Sequence, residues 1–283
     1  MSFERLVQNG YMAIKKCRHG MMMFNINDSF IGRALDLYGE WCESELVLLR
    51  QIIRPEFVIL DVGANIGTHT VFFAKNLSAG KVYAFEPQRL CFQILCANVA
   101  LNNLTNVFAF QKGISDIETV VKIPVLQPGS ELNSGSMSIE GNLSGEDTPI
   151  TTIDNLALDH CDLIKVDVEG LELKVLNGAR QTIDAFHPIL FVENNNIDNA
   201  SQIWNLMSAL GYKCWWHLAN YYSADNYFKN SENVFAQYRF EANILCFHES
   251  IGVTIDGFVE VEGPDDNCLK AAERIRQNNR NKA

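Results

Sequence analysis

The chain has 283 residues, 47% of them hydrophobic and 20% charged, which is enough to bury a sizeable core and excludes a disordered or low-complexity protein. One α/β domain with small additions fits that length better than two equal domains. Its 34 acidic and 23 basic residues leave a formal charge of −11, which argues against a surface built to neutralise nucleic-acid phosphates.

Residues 1–54 read as mostly helical, with 43–53 the clearest piece, and would form a small helical N-terminal cap. From 55 onward, short β-rich apolar runs alternate with segments of helical spacing, which is how a parallel sheet covered by helices reads. The first strand is 57–60, between Pro55 and Gly63, and the helix after it covers 68–77. A second strand, 82–85, stops at Glu86 and Pro87 and leads into a helix over 90–102. The third strand is 107–111, with 120–125 as a hairpin strand beside it. Between Pro128 and Pro149 runs one long polar loop with four Gly and five Ser, as in a lid or binding loop. A short helix starts at 152–154, and a fourth strand at 163–167 feeds a helix over 171–186. The fifth strand, 189–192, ends at Glu193; a helix over 201–210 and strands at 212–216 and 243–247 complete the pattern. The expected fold is α/β: a Rossmann-like, seven-stranded, mostly parallel sheet with helices on both faces over 55–250. A C-terminal extension occupies 251–283, and its five Lys/Arg against one Glu over 270–282 suit a solvated helix end.

Eight scattered cysteines, without a Cys-x-x-Cys pair or histidines at zinc spacing, read as reduced thiols. The first 20 residues lack the apolar run of a signal peptide, and no stretch is apolar enough to span a membrane. A soluble, cytoplasmic protein is expected, with neither nucleic acid nor membrane as partner.

In an open parallel sheet, ligands bind beyond the carboxyl ends of the strands, near the topological switch point. Asp61-Val62-Gly63-Ala64-Asn65-Ile66-Gly67 follows the first strand, and its two glycines permit a tight turn at a helix N-terminus. Glu86 follows the second strand as an exposed carboxylate placed to accept both hydroxyls of a ribose. Asn65 occupies the middle glycine position of the G-x-G-x-x-G dinucleotide pattern, and no P-loop occurs. A nucleoside with an amino-acid tail and no phosphates, S-adenosylmethionine, fits better than NAD(P), although an NAD(P)-linked oxidoreductase and a non-catalytic cofactor-binding module remain alternatives.

The first of these motifs, with Phe85-Glu86-Pro87, Asp154 and Ile164-Lys165-Val166-Asp167-Val168-Glu169-Gly170, resembles the FkbM-type methyltransferase family over roughly residues 36–250. The resemblance implies a class I methyltransferase fold and methylation of a hydroxyl on a sugar, polysaccharide precursor or secondary metabolite. By the same resemblance Asp61, Gly63, Asn65 and Gly67 would wrap the methionine part of the cofactor and Glu86 its ribose. Thr70 would cap the helix or reach the cofactor carboxylate, and Asp116 would meet the adenine amine or simply close a turn. Asp167 and Glu169, after the fourth strand, are the first candidates for taking the acceptor's proton. Glu169 also suits a helix N-terminus. His217 is either a further base or a packed histidine. Asn133, Ser136, Glu193, Tyr221 and Asn226 are substrate candidates, the last two within a segment at 220–228 read as a substrate-facing cover. Trp215 and Trp216 suit either a sugar ring or the core. Asp167, Glu193 and Asn194 could hold a hard divalent cation through oxygen.

Overall fold

A computed structural model describes residues 4–131, 133 and 144–282. The chain opens on an antiparallel sheet of β1 (Val7–Asn9), β2 (Met12–Cys17) and β3 (Gly20–Asn25), followed by α1 (Ile31–Tyr38) and α2 (Glu43–Ile52). The mostly helical N-terminal cap is thereby corrected, because its first half is β-structure. Lys15 disguised the pattern: Ala13, Lys15 and Cys17 all point inward from β2, and a lysine among them breaks the apolar alternation. Its buried ammonium donates to the Asp36 carbonyl at 2.5 Å, approaches the Asp36 carboxylate at 3.3 Å and lies 4.6 Å from the centre of the Phe228 ring.

Strand and helix then alternate through β4 (Val58–Val62), α3 (Thr68–Asn76), β5 (Lys81–Phe85), α4 (Arg89–Leu101) and β6 (Val107–Phe110). Three short strands, β7 (Gly113–Ile114), β8 (Thr119–Ile123) and β9 (Glu146–Thr151), make a separate sheet in the order β7-β9-β8. Two expectations change here. The strand near 120 pairs antiparallel with β9 rather than with β6, and the end of the long polar loop is itself a strand carrying Pro149 opposite Val120. The proline is tolerated because β7 pairs only Ile150 and Thr151, so no strand needs its missing N–H.

The second half runs β10 (Leu163–Val166), α5 (Glu172–Asn177), α6 (Arg180–Phe186), β11 (Ile189–Glu193), α7 (Ile197–Ala209), β12 (Tyr212–Ala219), β13 (Glu241–His248), β14 (Val259–Glu260) and α8 (Cys268–Lys282). The one helix expected over 171–186 is two. A Cβ on Gly178, between them, would lie 2.1 Å from the Ser115 carbonyl oxygen, so the chain passes too close there for any side chain. Asp154 starts a single 3-10 turn and caps α6, accepting the Thr182 N–H at 2.8 Å and the Gln181 N–H at 3.1 Å.

The main sheet has the order β14-β12-β13-β11-β10-β4-β5-β6, with β4, β5, β6, β10 and β11 parallel and β13 antiparallel to both its neighbours. The seven expected strands are all present, and β14 adds a two-residue edge. One face buries Leu60, Val62, Ile164, Val166, Leu190 and Val192 against α5, α6, α7 and α8. The opposite face packs Ile59, Leu163, Phe191 and Leu245 against α2 and α3. Among the described residues no helix is long and apolar enough to cross a membrane.

Asp266 pins α8 to this frame. Its carboxylate accepts the buried Trp216 indole N–H at 3.0 Å and pairs with Arg274 at 2.6 Å. Asp266→Ala should cost about 1–3 kcal/mol, the penalty of an unsatisfied buried donor. It should also speed amide exchange through α8, and unchanged exchange there would show that the helix is held by its apolar face alone.

Candidate active site

Val166 pairs with Val62 on one side and with Val192 on the other, so Gly63, Asp167 and Glu193, each the next residue along its strand, follow those paired positions. The chain leaves β4 toward β5 in one direction and reaches β10 in the other, which makes this the switch point of the sheet. Gly63 has φ +79°, and a Cβ there would lie 1.7 Å from the Asp167 carbonyl oxygen, so only glycine can occupy the turn. Asn65 has φ +48°, donates its backbone N–H to Glu86 Oε2 at 2.8 Å and accepts the Ile66 N–H on its side chain at 2.8 Å.

Glu86 is not the exposed carboxylate expected: it is only 7% exposed. Its two oxygens bind the turn after β4 and, through the Gln88 N–H at 2.8 Å, the start of α4. Burial pushes its carboxyl up to about 7, against the opposing pull of the Gln88 and Asn65 N–H groups.

Behind this turn sits Lys165, buried in the middle of an apolar strand. Its ammonium lies 3.1 Å from Asp167 Oδ2 and 3.5 Å from Asp61 Oδ1, and it donates to the Gly63 carbonyl at 3.4 Å. Burial alone would lower its pKa, but the Asp167 and Asp61 carboxylates outweigh it and hold the group charged. Asp61 also accepts the Thr70 hydroxyl at 2.6 Å, tying α3 to the same cluster.

A cavity of about 250 Å³ opens over these strand ends. Gly63, Asn65, Glu86, Gly113, Ile114, Ile123 and Pro124 line it together with Asp167, Glu169, Glu193, Asn195, Tyr221 and Glu241 and the rings of Phe30 and Trp41. Oxygens of Asp167, Glu169 and Glu193 lie within 4.8 Å of one another. Glu169 takes φ +54°, a conformation unusual for a residue with a side chain. Burial, then Asp167 and Glu241, raise its carboxyl to about 8; the same causes push Glu193 well above the usual carboxylate range. Asn195 donates to Glu193 Oε1 at 2.6 Å and to Glu241, whose other oxygen accepts the Tyr221 hydroxyl at 2.7 Å. Glu193 Oε2 is buried without a hydrogen-bond partner.

Other sequence candidates lie elsewhere. Asp61, Gly67 and Thr70 stand behind the wall rather than on it, Gly67 because it opens α3 at φ +87° against Leu95. Asp116 is exposed and accepts its neighbour Ser115, while Gly113 and Ile114 take the place on the wall. His217 stands opposite Asn243 in the β12–β13 register and packs between Phe191 and Phe258, away from the cavity. Burial lowers its pKa, against Glu45 and a Ser44 backbone contact, and so favours the neutral ring. Asn194 is buried without reaching the cavity; Glu169 stands beside Asp167 and Glu193 instead. Asn226 spends its amide on Ser223 and Asn230 of its own loop, which leaves nothing for a substrate. Trp215 and Trp216 are core residues, Asn133 lines the cavity, and Ser136 lies outside the described residues.

Sequence reasoning gave no role to Lys165, Glu45, Asn195 or Glu241. Glu45 accepts Asn243 at 2.9 Å and meets His69 at 3.0 Å, joining α2 to β13 and α3. Lys165 alone carried a signal, since a charge inside a buried strand must find partners. Lys165→Met would strand Asp61 and Asp167 without their cation and should cost about 3–5 kcal/mol. Urea unfolding measures this, and a loss under about 1 kcal/mol would show that the carboxylates are held by other means.

The family model for the methyltransferase FkbM domain matches residues 61–214, more than half of the chain. Methyltransferase sdnD of Sordaria araneosa is 29% identical over 154 residues, 43% of this chain and 60% of that protein. Hexuronic acid methyltransferase AglP of Haloferax volcanii is 29% identical over 173 residues, 59% of this chain and 68% of that protein. The chain thus spans somewhat less than two thirds of the first relative's length. The crystal structure of methyltransferase FkbM from Methylobacillus flagellatus superposes with a TM-score of 0.48 at 18% identity, over 70% of this chain and 45% of that one. On the strength of the match over 61–214, this chain belongs to the FkbM methyltransferase family.

Proposed function

We propose that the protein transfers a methyl group from S-adenosylmethionine to a hydroxyl of a sugar or related hydroxylated metabolite. The observation that carries this reading is the meeting of Gly63, Asn65 and Glu86 on one cavity wall at the switch point. The donor set suits the cofactor. Glu86 offers carboxylate oxygens to a ribose diol, and Ile114, Ile123 and Pro124 offer an apolar border to a flat base. The turn at Asn65 suits a pyrophosphate poorly, because its own N–H goes to Glu86 and the Ile66 N–H goes to its side chain.

When bound, S-adenosylmethionine supplies a methyl group on a sulfonium. Transfer is an in-line displacement, so the protein must orient the acceptor oxygen and accept its proton. Lys165 holds one oxygen of Asp167, whereas Glu169 stands on the wall two residues on and is the carboxylate we assign to the proton, which it can take once ionised, as pH rises through about 8. Phe30, Trp41 and Tyr221 present aromatic faces to the cavity, which suit the C–H face of a sugar ring. One relative is by name a hexuronic acid methyltransferase, which supports an acceptor of the sugar class.

Glu86 supplies the test. A charge-assisted bond contributes about 1.5–3 kcal/mol, so Glu86→Ala should weaken binding of the homocysteine product roughly ten- to a hundredfold in calorimetry. Since Glu86 also ties two segments together, Glu86→Gln isolates the charge. Ribose hydroxyls favour the ionised carboxyl; affinity of the native protein should therefore fall as pH drops through about 7, and the Gln variant should be flat. The ligand-free protein behaves in the opposite sense: a carboxyl raised by burial contributes its stability at low pH and loses it as pH rises through about 7. Native affinity in Glu86→Ala, with the protein folded, would remove the cofactor from this wall.

A further inference from the structure

The cavity wall gathers more carboxyl groups than basic partners. Among the described residues on the cavity wall, Glu45, Glu86, Asp167, Glu169, Glu193 and Glu241 face only two lysines, Lys112 and Lys165. The three carboxylates that converge are each treated differently from outside. Lys165 engages Asp167 through Oδ2, and Asn195 engages Glu193 through Oε1. Asn195 is itself shared with Glu241, which Tyr221 fixes from the far side. Outer donors of this kind set the orientation of a ligand carboxylate and leave its second oxygen for something else.

Glu193 carries a second, independent feature. Glu193 is only 5% exposed, lines the cavity, and its Oε2 has no hydrogen-bond partner among the described residues. A buried carboxylate oxygen without a donor costs free energy unless a proton or a cation meets it. Oxygens of Asp167, Glu169 and Glu193 all within 4.8 Å of one another match the spread of a hard-cation site, where an Mg²⁺–oxygen distance of about 2.1 Å puts neighbouring ligands about 3 Å apart.

We propose that Asp167, Glu169 and Glu193 bind one divalent cation of the Mg²⁺ or Mn²⁺ class, each through a single carboxylate oxygen, at the acceptor end of the cavity. An oxygen-only ligand set suits hard cations such as Mg²⁺ and Mn²⁺, whereas sites built for Zn²⁺ or Cu²⁺ usually include nitrogen or sulfur. Three protein ligands leave coordination positions open for water and for acceptor hydroxyls. The second oxygen of Glu169 stays available for the proton assigned to it above, and in that respect alone the proposal rests on the methyltransferase reading.

The probe is Mn²⁺ alone, titrated into the full chain without cofactor and followed by the electron paramagnetic resonance signal of the free ion. One saturable Mn²⁺ per chain is expected, with a dissociation constant below roughly 1 mM, displaced by Mg²⁺. Glu193→Gln should weaken Mn²⁺ binding at least about tenfold while leaving affinity for S-adenosylhomocysteine within about threefold. Should that buried variant fail to fold, Glu169→Gln, less buried and in the same triad, carries the same expectation. No saturable binding to the native protein, or native Mn²⁺ affinity in a folded Glu193→Gln or Glu169→Gln, overturns the site and leaves protons as the groups that neutralise the cluster. The two readings fail separately. Loss of the metal with product binding retained removes the cation alone, and Mn²⁺ binding without any product binding removes the methyltransferase reading alone.

Discussion

The interaction on which the rest depends is the burial of one ammonium, that of Lys165, between Asp61 and Asp167. Strands β4 and β10 are neighbours in the sheet, and their carboxyl ends would carry two carboxylates close together without it. Taking a charge out of water is costly, and a buried pair is retained only where several partners share it. Here Gly63 supplies a carbonyl and Thr70 a hydroxyl, so the loop after β4 and the first turn of α3 join one cluster. The cluster that holds the switch point together also fixes where Asp167 faces. Fold stability and site geometry therefore have the same physical origin.

Around that centre the cavity divides by origin in the chain. The wall proposed for the cofactor, with Gly63, Asn65, Glu86 and Ile114, lies wholly within the family-matched residues 61–214. Much of the opposite wall comes from outside that range: Phe30, Trp41 and Glu45 precede it, and Tyr221, Glu241 and Asn243 follow it. Glu45 joins the two outer segments, since its carboxylate takes Asn243 from β13 and meets His69 at the start of α3. A family match describes the shared half of such a cavity and says little about the half built from other segments.

How far the sequence could be read follows from what each signal measured. Apolar runs bounded by Gly or Pro located the seven main strands, because strands buried on both faces are continuous in hydrophobicity. Gly63 and Glu86 were legible because a turn requiring positive φ and an acid after a strand are local facts. The β2 strand was not, since Lys15 is polar by type and inward by position, and its partners Asp36 and Phe228 lie 21 and 213 residues away. His217 and Asn226 were ambiguous for a related reason: their types suit chemistry, yet one is enclosed by rings and the other has its amide consumed by its own loop. Glu241 and Asn195 gave no signal because a single acid or amide at a strand end acquires meaning only beside its neighbours. Burial of Glu86 likewise depends on α4 starting one turn away, through Gln88.

The N-terminal sheet acquires a purpose from these contacts. Lys15 holds Asp36 of α1 from below, and Arg18 pairs with Glu40 at 2.7 Å. Glu40 in turn accepts the Tyr227 N–H at 2.7 Å, while the Tyr38 hydroxyl joins the Glu232 carbonyl to the Val234 N–H. The segment between β12 and β13 is thus fastened to α1 by backbone and charge, not by apolar contact alone. Trp41 and Phe30, which flank α1, then meet Tyr221 with ring centres 5.6 and 5.9 Å apart. Aromatic rings at such distances pack with defined geometry. Without the small sheet, α1 would have no rigid support on its outer side. The aromatic wall would then be set by a loop of more than twenty residues whose own hydrogen bonds are mostly internal turns. Strand ends alone can build one wall of such a cavity; the aromatic wall needs this second scaffold to hold it still.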